Sequence, residues 1–301
     1  MPMAHPDEVF LTDSGLETDL VFHHGVELPA FAAFPLLTTA EGRALLAEYF
    51  RAHLAVAEDA GLGLLLETPT WRASQDWGAQ LGYSAADLAA LNRSAVQLLA
   101  ELSAGASTRV LISGCLGPRG DGYRPGALMT AEEAQAYHAP QIGALDQADL
   151  VSGLTLGYPA EAIGIVRAAR RIGRPVVVSF TVELDGRLPC GQSLGAAITE
   201  VDEQTDAAAA WFMINCAHPE HLAPALEAGA PWLERIQAVR VNASTRSHAE
   251  LDACDVLDDG DPVALARQVL DLRRDLPGLH ILGGCCGTDV RHIRELATAL
   301  A

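Results

Sequence analysis

Eight short apolar runs, each followed by a longer amphipathic stretch, most constrain how this 301-residue chain can fold. The runs are rich in Val, Ile and Leu, which is typical of strands buried on both faces. They lie at Val9–Asp13, Leu62–Glu67, Arg109–Gly114, Asp149–Thr155, Pro175–Thr181, Trp211–Cys216, Ala238–Asn242 and His280–Gly284. This count of strands, each followed by a helix, predicts a (β/α)₈ barrel.

The stretches between the runs have helical spacing. They include Arg43–Ala60, Ala85–Ala104, Ala131–Ala148, Pro159–Ile172 and Pro262–Leu272. Thr130, with acidic residues two and three positions later, indicates a helix start. Asp261 followed by Pro262 indicates another, with an Asp cap and Pro at the first helical position.

An open doubly wound sheet would show the same alternation, but two observations favour the barrel. The first run is not followed by a G-x-G-x-x-G motif, and the sequence has no P-loop. Polar or Cys residues follow runs one, two, three, six, seven and eight, and a barrel brings these ends to one face. Since no Pro/Gly/Ser-rich linker divides the chain, we predict one α/β domain over residues 1–301, a TIM barrel.

The chain is strongly acidic, with 20 Lys and Arg against 39 Asp and Glu and a formal charge of −19. Such a surface repels phosphate backbones and anionic lipid, so neither nucleic acid nor a membrane is an expected partner. The sequence has no apolar run of about 18 residues and no secretory signal at its start. We therefore expect a cytoplasmic protein that binds small molecules; its oligomeric state stays open.

Three of the six cysteines lie at the ends of apolar runs. Cys216 ends the sixth run, and Cys285 and Cys286 end the eighth, with glycines on both sides. Three disulfides would suit a short secreted chain, which this is not. Three thiolates bound to Zn²⁺ at about 2.3 Å leave a fourth tetrahedral position open, as in catalytic sites. The pattern therefore predicts a catalytic zinc site.

Other Cys and His residues are weaker candidates. We expect Cys115 and Cys254 to be core fillers, because free Cys is among the most buried residue types. His218 and His221 follow Cys216 at a helix start, where we expect them to be solvated; the alternative is that they support the metal ligands from behind. A disulfide between Cys285 and Cys286, and with it a redox role, is an alternative to the zinc site.

Several motifs occur in the same order as in one known family. They are segments 13–20 (DSGLETDL), 68–74 (TPTWRAS) and 114–120 (GCLGPRG), then Asn215-Cys216, Val241-Asn242 and the GGCCGT of Gly283–Thr288. With these, the chain resembles the homocysteine S-methyltransferase family, zinc barrels that methylate a thiol to a thioether. The resemblance extends from Asp13 to Ile293.

The resemblance implies roles for the matched residues. Zn²⁺ binding, and with it catalysis, would depend on Cys216, Cys285 and Cys286. Asp13 and Gly15 would lie beside the amino-acid head of the substrate, and Thr68 and Asn242 would line the pocket. The last two side chains could instead satisfy backbone groups at the strand ends.

One position departs from the family pattern. After the fourth strand the family commonly has a Glu-Thr pair whose Glu binds the homocysteine ammonium, but here the pair is Leu154-Thr155. A buried charge without a partner is costly, so an ammonium would need another acid. Glu17 or Asp13 is the candidate, although Glu17 could equally be a helix-start acid. Arg72 is placed to pair with a substrate carboxylate.

These residues predict a zinc-dependent S-methyltransferase. A thiol bound to Zn²⁺ loses its proton, and the thiolate is the nucleophile. The expected acceptor is homocysteine, giving methionine, and the expected donor is S-methylmethionine or S-adenosylmethionine. The alternatives are methyl transfer to a thiol that is not an amino acid, and a zinc- or thiol-binding protein without turnover.

Overall fold

Eight parallel strands form a closed barrel. The structure is a computed structural model, and it describes residues 8–254 and 256–300. The strands are β1 Phe10–Thr12, β2 Gly63–Glu67, β3 Val110–Leu116, β4 Leu150–Leu156, β5 Val176–Phe180, β6 Trp211–Asn215, β7 Ile236–Val241 and β8 Ile281–Gly284. Each overlaps a run predicted from the sequence.

The sheet closes without an edge. Neighbouring strands pair in parallel in the order β1 to β8, and the ring is completed where Phe10 pairs with Ile281 and Leu11 with Leu282. The predicted TIM barrel is therefore confirmed, and the open-sheet alternative is wrong.

Helices surround the barrel. Their bounds are α1 Leu16–Phe22, α2 Ala40–Ala60, α3 Gln75–Gln80, α4 Ala85–Ser103, α5 Ala131–Ala144, α6 Pro159–Arg171, α7 Leu194–Thr205, α8 Pro219–Leu222, α9 His248–Asp252, α10 Pro262–Leu272 and α11 Val290–Leu300. Short 3₁₀ helices lie at Pro29–Phe31, Phe34–Thr38, Ala223–Ala225 and Pro231–Arg235. No helix in the described part of the chain is both long and apolar enough to span a membrane.

Both predicted helix starts are confirmed. Thr130 caps α5 through a reciprocal capping box with Glu133, and the Asp261 side chain accepts N–H bonds from Val263 and Ala264. The α5 helix ends at Ala144 rather than at the predicted Ala148, because turn residues follow it before β4.

Two apolar layers hold the barrel together. Inside it, large side chains such as Phe10, Leu65, Trp211 and Met213 pack together. Outside it, the other faces of the strands pack against the helices in a larger core. Polar side chains gather where the strands end, at the carboxyl-terminal mouth of the barrel, and this mouth holds the candidate site.

Candidate active site at the barrel mouth

A cavity of about 520 Å³ opens at the carboxyl-terminal ends of the strands. All nine residues predicted from the sequence as site residues line it, namely Asp13, Gly15, Glu17, Thr68, Arg72, Cys216, Asn242, Cys285 and Cys286. The barrel thus gathers residues from β1, β2, β6, β7 and β8 that are far apart in the sequence. Their functional roles stay predictions.

The three predicted zinc cysteines, Cys216, Cys285 and Cys286, converge at this cavity. We call these three residues the sulfur cluster. All three Sγ atoms lie within 4.8 Å of one another. Cys216 and Cys285 are joined by a disulfide, while the Cys286 Sγ lies 3.5 Å from the Cys216 Sγ. The expectation of three separate thiolates is thus not met in this state, and the disulfide is not the Cys285–Cys286 pair considered from the sequence.

Backbone contacts fix the sulfur cluster to the barrel. The Cys216 N–H donates to the Arg240 carbonyl and the Cys285 N–H to the Val241 carbonyl. Cys216 adopts a left-handed backbone, with φ 56°, and its carbonyl accepts a 2.7 Å bond from His248 Nε2. A non-glycine residue in this conformation is uncommon and persists only where its surroundings hold it.

Asn215 connects the sulfur cluster to β4. Its amide oxygen accepts the Thr155 N–H at 2.8 Å, and its amide nitrogen donates to the Thr155 hydroxyl at 2.8 Å. Thr155 is also left-handed, with φ 61°. The same amide nitrogen lies 3.8 Å from the Cys285 Sγ, so Asn215 orients both the end of β4 and a sulfur.

The chemistry of the sulfur cluster fits zinc once its cysteines are reduced. Tetrahedral zinc with thiolate ligands at about 2.3 Å places the sulfurs about 3.8 Å apart, and the Cys216–Cys286 separation of 3.5 Å is close to this. The disulfide must first open, because only the thiolate binds metal. The donor set is all sulfur, which suits a soft or borderline metal.

A second group of potential ligands, Asp19, His23 and Asp289, fits a metal less well. Asp289 already accepts bonds from the Arg291 guanidinium, and it lies 3.2 Å from His292 Nδ1. Although its partial burial acts in the opposite direction, these bonds hold the Asp289 pKa well below its usual range. The carboxylate is thus already neutralised by the protein.

A buried ion pair occupies the wall of the cavity. Arg240, on β7, pairs with Asp13 at the end of β1 and also donates to the Ser14 carbonyl at 3.0 Å. The second Asp13 oxygen accepts the Glu67 N–H at 2.9 Å. Asp13 therefore lies in the pocket as predicted, but its charge is neutralised by Arg240, and it is a poor partner for a substrate ammonium.

Glu67 is a buried acid next to this ion pair. Removal from water raises the pKa of its carboxyl to about 7, against the opposing charge of Arg240. Neither Arg240 nor Glu67 was predicted from the sequence as a site residue. The available signals were one Arg within the apolar run AVRVN and an acid that ends the apolar run GLLLE.

Glu17 and Arg72 lie on the same cavity wall. Glu17 is the second residue of α1, so it is both a helix-start acid and a pocket residue. Its pKa is raised to about 7 because burial disfavours the carboxylate. The guanidinium of Arg72 is stacked between the rings of Trp71 and Trp77, 4.0 and 3.7 Å from their centroids.

The remaining predicted pocket residues have local backbone roles. The Thr68 hydroxyl accepts the Cys115 N–H at 2.8 Å, and the Asn242 oxygen accepts the Ser244 N–H at 3.3 Å. Leu154 lines the cavity, where it presents an apolar side chain at the end of β4.

Several weaker expectations were wrong. His218 and His221 are buried rather than solvated, because His218 caps α8 and His221 bonds the Thr245 carbonyl. Cys254 is half-buried at the cavity mouth rather than in the core, whereas Cys115 is buried as expected. His248, which the sequence analysis did not select, lines the cavity and stacks on Tyr123.

Comparisons with known proteins identify the family of the chain. The family model for homocysteine S-methyltransferase matches residues 10–300, so the chain belongs to the homocysteine S-methyltransferase family. The methionine synthase of Mycobacterium tuberculosis is 32% identical over 211 residues, which is 62% of this chain and 16% of that protein. The methionine synthase of Mycobacterium leprae is 31% identical over 55% of this chain and 14% of its own length. The chain thus spans about one sixth or less of these curated relatives.

Solved structures show the same fold. The metallated form of the homocysteine methyltransferase MmuM from Escherichia coli superposes with a TM-score of 0.74 at 21% identity, covering 97% of this chain and 96% of that one. Its oxidized form superposes with a TM-score of 0.76 at 22% identity, covering 98% and 99%. At this identity the superpositions support the fold.

Proposed function

We propose that this protein is a zinc-dependent S-methyltransferase that moves a methyl group from a sulfonium donor to a thiol. The observation that carries the proposal is the sulfur cluster at the cavity, where Cys216, Cys285 and Cys286 come within 4.8 Å of one another. An all-sulfur triad facing an open cavity leaves a coordination position for a substrate, as catalytic zinc sites do.

In their reduced state the three cysteines would hold the ion. Zinc held there would supply the Lewis acidity that lets a fourth thiol, that of the substrate, lose its proton at neutral pH. Three thiolates from one protein need reducing conditions, which supports a cytoplasmic location.

The transfer itself needs little from acid–base groups. The substrate sulfur supplies the electron pair for a new bond to the methyl carbon, while the bond from that carbon to the donor sulfonium breaks. The donor leaves as a neutral thioether that keeps the electron pair, so no proton is needed to expel it.

The chain's own residues would position the reactants. His248 and Asn215 hold the backbone and side chains around Cys216 and Cys285. Apolar residues on the wall, among them Leu16, Trp71 and Leu154, reduce the water around the sulfur nucleophile. A thiolate that is held in place and shielded from water reacts more readily with a methyl group.

Homocysteine is the acceptor we propose, with S-methylmethionine or S-adenosylmethionine as the donor. Membership of the homocysteine S-methyltransferase family supports the acceptor. The apolar Leu154 and the neutralised Asp13 favour the second candidate, a thiol that is not an amino acid. A zinc- or thiol-binding protein without turnover is the third.

Zinc analysis followed by a matrix of acceptors and donors tests the proposal. The protein is reduced, loaded with zinc and freed of excess metal, and its zinc content is measured by mass spectrometry. Methyl transfer is then followed with homocysteine and simple thiols against both sulfonium donors. We expect one zinc per chain and methyl transfer that is lost when zinc is removed. Zinc binding without transfer to any thiol would leave the binding protein as the better description.

A further inference from the structure

Most charged groups that line the cavity already have partners in the protein. Asp13 pairs with Arg240, Asp121 accepts the N–H groups of Tyr123 and Arg124, and Asp258 accepts the Ser244 hydroxyl. Glu67 also lines the cavity, and neither of its carboxyl oxygens has a hydrogen-bond partner among the described residues, but it lies beside Arg240, whose charge opposes the effect of burial on its pKa. Glu17 and Arg72 also line the cavity, and neither forms an ion pair with another described residue.

Arg72 is a buried cation that lacks a carboxylate partner in the described part of the chain. It is 8% exposed, and its one hydrogen bond there runs from Nη1 to the Gly120 carbonyl at 3.1 Å. Its Nε has no acceptor. Trp71 and Trp77 cover both faces of the guanidinium, so only its edge is available. An edge-on guanidinium fits a carboxylate in a bidentate pair.

Glu17 is the matching acid. Among the described residues it makes no ion pair, and the hydrogen bond that lowers the pKa of its carboxyl comes from its own backbone N–H. The charge of Arg72 nevertheless lowers the pKa of Glu17, and the charge of Glu17 raises the pKa of Arg72. The two side chains do not form an ion pair within residues 8–254 and 256–300. The two groups thus line one cavity without pairing with each other.

We propose that Glu17 and Arg72 together form the binding site for the zwitterionic head of the acceptor, with Glu17 taking the ammonium and Arg72 the carboxylate. The proposal rests on the proposed function, because it assigns the head-group contacts of its thiol substrate. It places the two contacts on α1 and on the loop after β2.

The charges at the cavity wall favour a zwitterionic substrate. Arg240 neutralises Asp13, and Leu154 offers no charge, so the ends of β1 and β4 cannot hold an ammonium. A zwitterion also suits both unpaired groups at once, since it satisfies a desolvated acid and a desolvated cation without changing the net charge of the pocket. A substrate with only one of the two charges would leave the other group unpaired, which is costly in a buried site.

The test separates the two charges by using four thiols of similar length. They are L-homocysteine, 4-mercaptobutyrate, which lacks the ammonium, 3-aminopropane-1-thiol, which lacks the carboxylate, and 1-propanethiol, which lacks both. For each enzyme, kcat/KM is measured with one saturating sulfonium donor and expressed relative to 1-propanethiol. Dissociation constants of the zinc-loaded protein are measured by calorimetry without donor.

Glu17→Gln should lower the relative kcat/KM for homocysteine by about 10- to 100-fold, the loss expected for one charged hydrogen bond. The relative kcat/KM for 4-mercaptobutyrate should not fall by more than about 2-fold, because that thiol has no ammonium that could lose a partner. In calorimetry the dissociation constant should rise for homocysteine and not for 4-mercaptobutyrate. Glu27→Gln is the matched control, because Glu27 is exposed and lies outside the cavity lining.

Arg72→Met should produce the complementary pattern. Homocysteine and 4-mercaptobutyrate should both weaken by about 10- to 100-fold relative to 1-propanethiol, while 3-aminopropane-1-thiol should not. Arg93→Met, at an exposed position on α4, is the control. If both variants reduced all four thiols equally, or neither changed the pattern, the head-group proposal would be overturned. If the native protein methylated none of the thiols, the proposed function itself would fail.

Discussion

The sulfur cluster and the charged wall of the same cavity are built in different ways. Cys216 and Cys285 are held by backbone hydrogen bonds to β7. The wall depends on side chains that satisfy one another, with Asp13 paired to Arg240 and Glu67 buried next to them. The cluster is thus fixed by the barrel, whereas the wall is fixed by a balance of charges.

This difference shows which part of the site can change without loss of the fold. A neutral thiol is cheap to bury, so the cluster imposes little on its surroundings. A buried charge must be paired or it destabilises the protein. Substitution of one wall residue therefore requires compensation by another. Arg240 fits this pattern, since it neutralises Asp13.

The largest expected effect is on the sulfur cluster. Replacing Cys216, Cys285 or Cys286 with Ala removes one of three ligands, so zinc occupancy should fall and turnover should be abolished. Metal content by mass spectrometry and methyl transfer by chromatography report the two effects. Full zinc content in Cys285→Ala would contradict the assignment.

Cys254→Ala serves as the control for these variants. Cys254 lines the mouth of the cavity, but its sulfur accepts a 3.1 Å hydrogen bond from the Arg246 guanidinium and is not part of the sulfur cluster. We expect its zinc content to equal that of the native protein after reduction. A loss of zinc in this variant would mean that the ligand set is misassigned.

The cluster could be predicted from sequence because its signals are local. Cys285 and Cys286 lie within GGCCGT, and Gly287 there has φ +79°, a conformation that favours glycine. Strand periodicity then placed Cys216 at the same rim. The disulfide between Cys216 and Cys285 could not be predicted, because pairing depends on distances across the barrel rather than on spacing in the chain.

The wall could not be predicted for a similar reason. Asp13 and Arg240 are 227 positions apart in the sequence, and their pairing requires that the barrel close, with β8 lying between β7 and β1. An Arg in a strand pattern does not reveal whether it points into the barrel or toward the helices. The same holds for Glu67 at the end of β2, since an acid in a strand pattern does not reveal which way its side chain points.

The second prediction breaks the charge balance of the wall. Arg240→Met removes the buried cation and leaves Asp13 uncompensated, so the free energy of unfolding should fall by about 3–5 kcal/mol. Denaturant unfolding of the zinc-free, reduced protein at pH 7 measures it. If the wall were as tolerant as an exposed surface, the loss would be below about 1 kcal/mol.

The double variant Asp13→Asn with Arg240→Met sharpens this result. It removes both charges, so it should recover a large part of the stability that Arg240→Met loses, since a neutral pair has no unpaired charge to bury. A double-mutant cycle then gives the coupling between the two residues. No recovery would mean that Arg240 stabilises the barrel by packing rather than by neutralising Asp13.

The smallest expected effect concerns Glu67 and depends on pH. Burial raises the pKa of its carboxyl to about 7, above the ordinary value of 4.5, with Arg240 and Asp13 as the nearest charged influences. The folded protein therefore keeps the Glu67 proton between pH 4.5 and 7, where the unfolded chain releases it. The stability that the protonated Glu67 contributes is fully present below pH 4.5 and is lost as the pH rises through 7.

Glu67→Gln tests this sign directly, because the amide stays neutral at every pH. The stability of the variant relative to the native protein should increase between pH 5 and pH 8, by roughly 1–3 kcal/mol. Glu17 has a pKa raised in the same direction, but it is present in both proteins and cancels in the difference. Thermal unfolding at pH 5, 6, 7 and 8 measures the trend. A difference that is flat with pH would show that Glu67 is already ionised in the folded protein, held by Arg240, and that the wall carries a triad of charges rather than one ion pair beside a neutral acid.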